Sequence, residues 1–229
     1  MTSVRALVLA AFALLFSGHA MFAQDLSRYR DFALASSLGA VTAANGAAVA
    51  DATTLHERPA KIQEFVWRAP YVRTGRELAD PVHDVVFGFY NDQLYQVVVT
   101  YDRERTEGLT NDDVVELLSQ TYGLPALAYP RPVLIAPAAN VPSGALVVAQ
   151  WETAESSLTL LRGTYSFEYQ LVLISTPLAT QARSAIAEAV TLNAAEAPQR
   201  ETARRDKEVA DGRAALDKAR VANKAAFRP

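Results

Sequence analysis

The chain has 229 residues, half of them hydrophobic and 21% charged, with a formal net charge of −3 and no cysteine. A composition this apolar excludes a disordered chain. The missing cysteine excludes disulfides, thiolate nucleophiles, Cys-type zinc sites and acylated lipoprotein anchors. The near-neutral balance carries no signature of nucleic-acid binding.

Residues 1–23 read as a secretory signal peptide. Arg5 supplies the positive n-region, Ala6–Phe16 is an unbroken apolar run, and small residues follow at Ala20 and Ala23. This is the order that signal peptidase reads, with cleavage placed after Ala20 or after Ala23. The run is shorter than the ~20 residues that span a bilayer. No later segment is long and apolar enough to span, so the expectation is a processed protein, periplasmic or secreted, with no transmembrane segment.

From there the pattern predicts an α+β fold of two similar helix-plus-antiparallel-sheet units in tandem, followed by a long C-terminal helix. Residues 24–123 hold the first unit and the helix leading into the second. A helix near Ser36–Asn45 is stopped by Gly46. A strand at Ile62–Trp67 places Phe65 and Trp67 on one face, and a hairpin runs from Val82 to Tyr101. Val85, Phe87 and Phe89 share a face in its first arm; Tyr95, Val97, Val99 and Tyr101 share one in its second, with Gln96 on the opposite face. Side chains alternate with period two, so both sets reach one core only across an odd-length loop. Asn91-Asp92-Gln93 is that loop, pairing Phe89 with Tyr95 and Phe87 with Val97.

The next helix, Thr110–Tyr122, has Thr110 as N-cap and Asp113 at the reciprocal capping position. Val114, Leu117 and Leu118 form its apolar stripe, and Gly123 stops it. Residues 124–144 are a linker, whose prolines at 125, 130, 132, 137 and 142 exclude helix and central strand. A short extended piece at Val133–Ala136 is compatible with them.

Residues 145–195 form the second sheet unit and its helix. The strand Ala145–Glu152 places Val147, Ala149 and Trp151 on one face. The hairpin Leu158–Ser175 needs the opposite loop parity, because Leu158 and Leu160 are even while Phe167, Tyr169, Leu171 and Leu173 are odd. A two-residue turn at Gly163-Thr164 satisfies it. Thr180–Ala195 is helical, and Pro198 marks a break or a new start.

Residues 196–229 are a charged helix with nine basic and six acidic residues, a net of +3. Without that segment and Arg5 the body holds twelve basic and nineteen acidic residues, a net of −7. Glu201–Arg205, Arg204–Glu208, Lys207–Asp211 and Arg213–Asp217 stand at i,i+4 spacing. Four large apolar residues, Val209, Leu216, Val221 and Phe227, are too few for a wide buried stripe, so this helix is expected to stand largely in water.

Chemistry-bearing motifs are scarce. His56 falls in a loop sequence. His83 and Asp84 adjoin on a strand, where neighbours point to opposite faces and would not readily share a metal. There is no HExxH, no G-x-S-x-G around Ser143-Gly144 and no phosphate-binding glycine loop at Gly39 or Gly46. Asp102, Glu104 and Glu107, interleaved with Arg103 and Arg105, read as a solvated loop. The aromatics Trp67, Trp151, Phe87, Phe89, Tyr95, Tyr101, Phe167 and Tyr169 sit at core-facing parity, while Tyr90 falls on the opposite face beside a turn, where it is available to a partner. No residue is assigned a catalytic, cofactor-binding or metal-binding role, and no cofactor is expected.

Leu34–Gly46 with Phe65–Trp67 and Phe87–Tyr101, then Leu117–Pro125 with Val147–Trp151 and Leu158–Ile174, carry a resemblance. Their order of helix, glycine stop, Trp-bearing strand and hairpin resembles the small lipoproteins of the outer-membrane β-barrel assembly machine. The tandem arrangement is similar to the secreted β-lactamase inhibitor protein. The chain departs from the first family in having no lipobox cysteine and from the second in having no disulfides. Both families act by binding proteins. The resemblance therefore implies an exported, non-enzymatic binding or scaffold module whose partner is another envelope protein. The alternative is a small secreted hydrolase with a carboxylate pair. A buried polar pocket enclosing two carboxylates favours the second, and a flat sheet face with exposed aromatics the first.

Overall fold

A computed structural model describes residues 25–68, 80–128, 131–132, 144–166, 168–226 and 228. The segment expected to be a signal peptide, the extended piece expected at Val133–Ala136, Phe167 and Phe227 lie outside them.

The described chain opens with two short paired strands, β1 (Arg28–Tyr29) and β2 (Phe32–Ala33), and the helix α1 (Leu38–Ala44). Then come β3 (Thr53–His56), β4 (Ile62–Arg68), β5 (Val82–Tyr90) and β6 (Gln93–Tyr101). Two helices follow, α2 (Arg103–Thr106) and α3 (Asn111–Tyr122). After them lie β7 (Arg131–Pro132), β8 (Leu146–Glu152), β9 (Ser156–Arg162) and β10 (Tyr169–Ser175). The helix α4 (Thr176–Ala226) closes the chain.

The strands of both expected units join in one antiparallel sheet, ordered β3-β4-β5-β6-β10-β9-β8-β7. The last strand of each half, β6 and β10, pair at the centre, with Val98 opposite Val172. Counting outward from that pair, Val86 and then Val66 lie on one side, Thr159 and then Gln150 on the other. Trp67 and Trp151, the next residues along β4 and β8, therefore occupy equivalent places on the two sides of the sheet.

The front face carries the larger core. Phe65, Phe87, Val97, Leu171, Leu160 and Trp151 face it, under Leu26 and Tyr29, Leu38 and Val41 of α1, and Val114 and Tyr122 of α3. Phe87 is fully buried, with the Phe32 ring edge-on at 4.8 Å and the Phe65 ring stacked at 5.9 Å. The Trp151 indole donates to the Gly123 carbonyl at 2.7 Å. This one bond ties the glycine that stops α3 (φ 76°) to the strand beneath it.

Local chemistry explains where the register departs from expectation. The β5–β6 turn has two residues, Asn91 and Asp92, both at positive φ (46° and 67°). Asn and Asp tolerate that region, and such a turn matches strand twist. The parity this loses is restored by a bulge: Gly88 faces Gln96 and Phe89 faces Leu94, while Phe87 keeps Val97 as its partner. Tyr95 is the extra residue, so it leaves the front core and lies across Gly88 on the back face. A Cβ at Gly88 would sit 3.2 Å from the Tyr95 ring. In the second hairpin the parity holds, but the loop is longer than Gly163-Thr164: Leu158 pairs with Leu173 and Leu160 with Leu171. A bulge between Val147 and Ala149 sends Val148 to the front core and Val147 to the back.

In α3, Thr110 and Asp113 form the reciprocal cap: the Asp113 backbone N–H donates to Thr110 Oγ1 at 3.2 Å, and the Thr110 N–H donates to Asp113 Oδ2 at 2.8 Å. Its apolar stripe runs through Val114, Val115, Leu118 and Tyr122, whereas Leu117 is 54% exposed. At the C-terminus the helix does not break. α4 runs unbroken through Pro198. The proline removes one N–H from the ladder, and Arg200 reaches back to the nearby Asn193 carbonyl at 2.8 Å.

Candidate functional site

The back face of the sheet is where a binding surface was expected, and the protein's own helix occupies part of it. Straight after β10, α4 crosses β6 and β5 on that face. Ala179, Ala182, Ala185 and Ala189 recur at three- and four-residue spacing and are all buried. Without large side chains on that stripe, the helix approaches the sheet closely, and Ala182, Ala185 and Ile186 pack on Ala60, Ile62, Tyr90 and Tyr95. Tyr90 is thus half-buried by α4 rather than displayed. The unassigned alanines were the signal: their helical spacing marks a contact stripe that a count of large apolar residues passes over.

Beside this contact an open groove of about 370 Å³ is lined by Pro59, Ala60, Tyr90, Gln181, Ser184 and Glu188, among others. Among these lining residues Glu188 is the one carboxylate. Glu196, farther along α4, accepts from Arg58 at 2.9 Å, which fastens the helix to the β3–β4 loop. Beyond it, residues 197–226 are exposed apart from half-buried Glu201. At 1.5 Å per residue they form an arm of about 45 Å. Val209, Leu216 and Val221 on the arm are 66%, 73% and 67% exposed. Of the four expected charge pairs, Glu201–Arg205 and Arg204–Glu208 form, at 2.8 and 2.7 Å.

A second polar cluster lies where the N-terminal segment meets the sheet. Arg30, at a positive φ of 52°, donates two bonds to Asp80 at 2.7 and 2.8 Å. That hydrogen bonding holds the Asp80 carboxyl below its ordinary value. The Arg30 guanidinium also lies 5.2 Å from the centre of the Tyr29 ring. Burial pushes the Tyr29 phenol up to about 12 and raises those of Tyr101 and Tyr122 as well. All three phenols are therefore held neutral. Their role is packing: they close one end of the front core under an ion pair.

The remaining sequence candidates take structural places. Asp102 is the N-cap of α2, accepting from the Glu104 and Arg105 amides, while Glu104 and Glu107 are exposed. His83 and Asp84 meet, contrary to the strand-alternation argument, with Nδ1 3.0 Å from Oδ2. The cause is a bulge between Val82 and Asp84, which turns His83 out of the alternation. His56 ends β3, half-buried. Among the described residues, no three His, Asp or Glu side chains come together as a metal-ligand set. Tyr169 belongs to the front core, its hydroxyl donating to Asn111 Oδ1 at 2.9 Å. The chain matches no protein-family model, no curated protein and no solved structure.

Proposed function

We propose that the protein is an exported, non-enzymatic binding module of the cell envelope, built from two copies of one helix-plus-meander unit, which presents the arm of α4 to another envelope protein. The observation that carries this reading is the division of α4. Its first turns are seated on the sheet by alanines. Its last ~45 Å stand free with large apolar residues exposed. A helix with no tertiary packing of its own is expensive to keep unless it is used, because most helical stability in proteins comes from burying a face. The equivalent places of Trp67 and Trp151 about the central strand pair support the duplication. Export rests on the charged start, apolar run and small residues of 1–23. Among the described residues, no helix is long and apolar enough to cross a membrane.

Photo-crosslinking in the intact envelope tests the reading. Crosslinkers at Val209 and Leu216 should give adducts, and one at Tyr165, which is 88% exposed on the body, should not. Adducts from Tyr165 alone, or from no position, would overturn it.

A further inference from the structure

The arm changes character along its length. From 196 to 211 it holds four basic and five acidic residues. There Arg204 and Arg205 are bound within the helix to Glu201 and Glu208 at 2.7–2.9 Å. From 212 to 228 five basic residues, Arg213, Lys218, Arg220, Lys224 and Arg228, stand against Asp217 alone, a net of +4. Among the described residues the one ion pair in that stretch is Arg220–Asp217, at 3.9 Å. At 3.6 residues per turn, Arg213, Arg220 and Lys224 fall within about 40° of one another around the helix. Exposed Leu216 and Val221 flank that stripe on either side.

We propose that this distal face of the arm docks on the α2–α3 surface of a second copy of the chain. Between 102 and 116 that surface carries six acidic residues and two basic ones, a net of −4. Glu104, Glu107, Asp112, Asp113 and Glu116 are exposed there, beside exposed Leu117. The charges are therefore equal and opposite, and each surface offers an apolar residue to the other. The arm does not reach the surface of its own chain. α3 lies on the front face, bonded through Gly123 to β8 and through Asn111 to β9 and β10. α4 crosses the back face and passes Arg58 at the far edge. Two copies exchanging arms close a two-fold dimer with the same contact made twice. An anionic lipid surface fits less well, because a helix lying in the interface needs a broad apolar face. This inference rests on the arm being the binding element and adds the identity of one partner.

Sedimentation velocity of the full mature chain tests it. A dimer is expected in 50 mM salt. At least tenfold weaker association is expected in 500 mM salt, as screening shortens the reach of the charges. Reversing the arm (Arg213→Glu, Arg220→Glu, Lys224→Glu) or the surface (Glu104→Lys, Glu107→Lys, Glu116→Lys) should each abolish the dimer. Mixing the two variants should restore it, since each arm then meets an opposite charge. All six positions are exposed, and circular dichroism confirms that each variant is folded. A monomer at both salt concentrations, a dimer indifferent to either reversal, or a mixture that stays monomeric would overturn the proposal. So would binding of the arm to anionic vesicles without self-association. In each of those cases crosslinks from Val209 or Leu216 to a different protein leave the binding role of the arm standing.

Discussion

The two faces of the sheet are closed by opposite means. The front is filled by volume: Trp151, Phe87 and Phe89 are fully buried beneath two helices and the N-terminal segment. The back is closed in two parts: a helix lies on one through alanines, over Ala60, Ile62, Tyr90 and Tyr95, while Val98, Ala145, Leu161 and Val172 form a separate aliphatic cluster beside it. Gln96 and Gln170 are 6% and 7% exposed there, where a two-layer pattern would have put water. Each leaves one amide atom, Nε2 of Gln96 and Oε1 of Gln170, without a hydrogen bond. A volume-filled face fixes a fold. A face covered in part through small side chains holds that cover by close approach and not by interlocked volume, and the cover is the element that carries the arm.

Truncating a front-face aromatic should have the largest effect. Trp151→Ala removes a fully buried ring and the indole bond that holds the end of α3, and large-to-small changes at such sites cost about 3–5 kcal/mol. That is much of an ordinary domain stability of about 5–15 kcal/mol. Phe87→Ala should cost a similar amount. Urea melts measure both, and a loss below 1 kcal/mol for either would show that the front face is not the main core.

Alkaline unfolding sharpens the comparison from the other side of the molecule's chemistry. The ordinary tyrosine value is about 10, and burial raises Tyr29 to about 12. The folded state therefore holds its proton more tightly than the unfolded one. The stability this represents is complete below pH 10 and lost as pH rises through 12. A rise of that size corresponds to at most about 3 kcal/mol. Melts at pH 9 and pH 11.5 should differ in that direction, and Tyr29→Phe should flatten the difference. A steeper loss in the variant would contradict the assignment.

The two faces were unequally legible in the sequence, for a physical reason. Period-two alternation of large residues is a strong signal, and it located Phe65, Phe87, Leu160 and Trp151 on one face. The capped helix from Thr110 was legible through its cap. What alternation does not encode is a bulge, and each of three bulges moved a residue: Tyr95 and Val147 to the back face, His83 into contact with Asp84. The cover of the back face is not legible from the strands, whose alternation leaves Tyr90 open to a partner. Alanine is compatible with both an exposed helix and a close-packed one, so Ala179, Ala182 and Ala185 gave no volume to count. Pro198 marks a break or a new start in the sequence because a proline inside a helix usually costs one hydrogen bond and a clash. As for the candidate site, the exposure of the arm was legible from its few large apolar residues. The crossing of α4 over Tyr90 was not, because it depends on which face the chain takes after β10.

A close helix-to-sheet contact is sensitive to added volume where a filled core is sensitive to its removal. Ala182 is fully buried against the sheet. Ala182→Leu should therefore destabilise the protein, and overpacking of this kind costs about 1–3 kcal/mol. Hydrogen exchange should show faster exchange through 179–189, with the strands of the sheet and the front-face helix α3 protected as before. Uniformly faster exchange across the sheet would mean that the two faces fold as one unit and that the contrast between them is false.

The smallest effect is expected from the largest deletion. Residues 199–226 bury almost nothing against the body, and the fastening of α4 ends at Glu196 with Arg58. Removing residues 199–229 takes away pairs such as Arg204–Glu208 at 2.7 Å, whose partners are both about 60% exposed. Exposed pairs contribute at most a few tenths of a kcal/mol each, and they act within the arm itself. The melting temperature of the truncated protein should therefore match that of the full chain in high salt, where the arm makes no electrostatic contact. In low salt the full chain should melt higher, by an amount that grows with protein concentration, because docking on a second copy stabilises only the folded state. A truncated protein that fails to fold would place the arm in the core and end its reading as a projecting element. Equal melting temperatures at every salt and protein concentration would leave the arm projecting while removing the second copy as its partner.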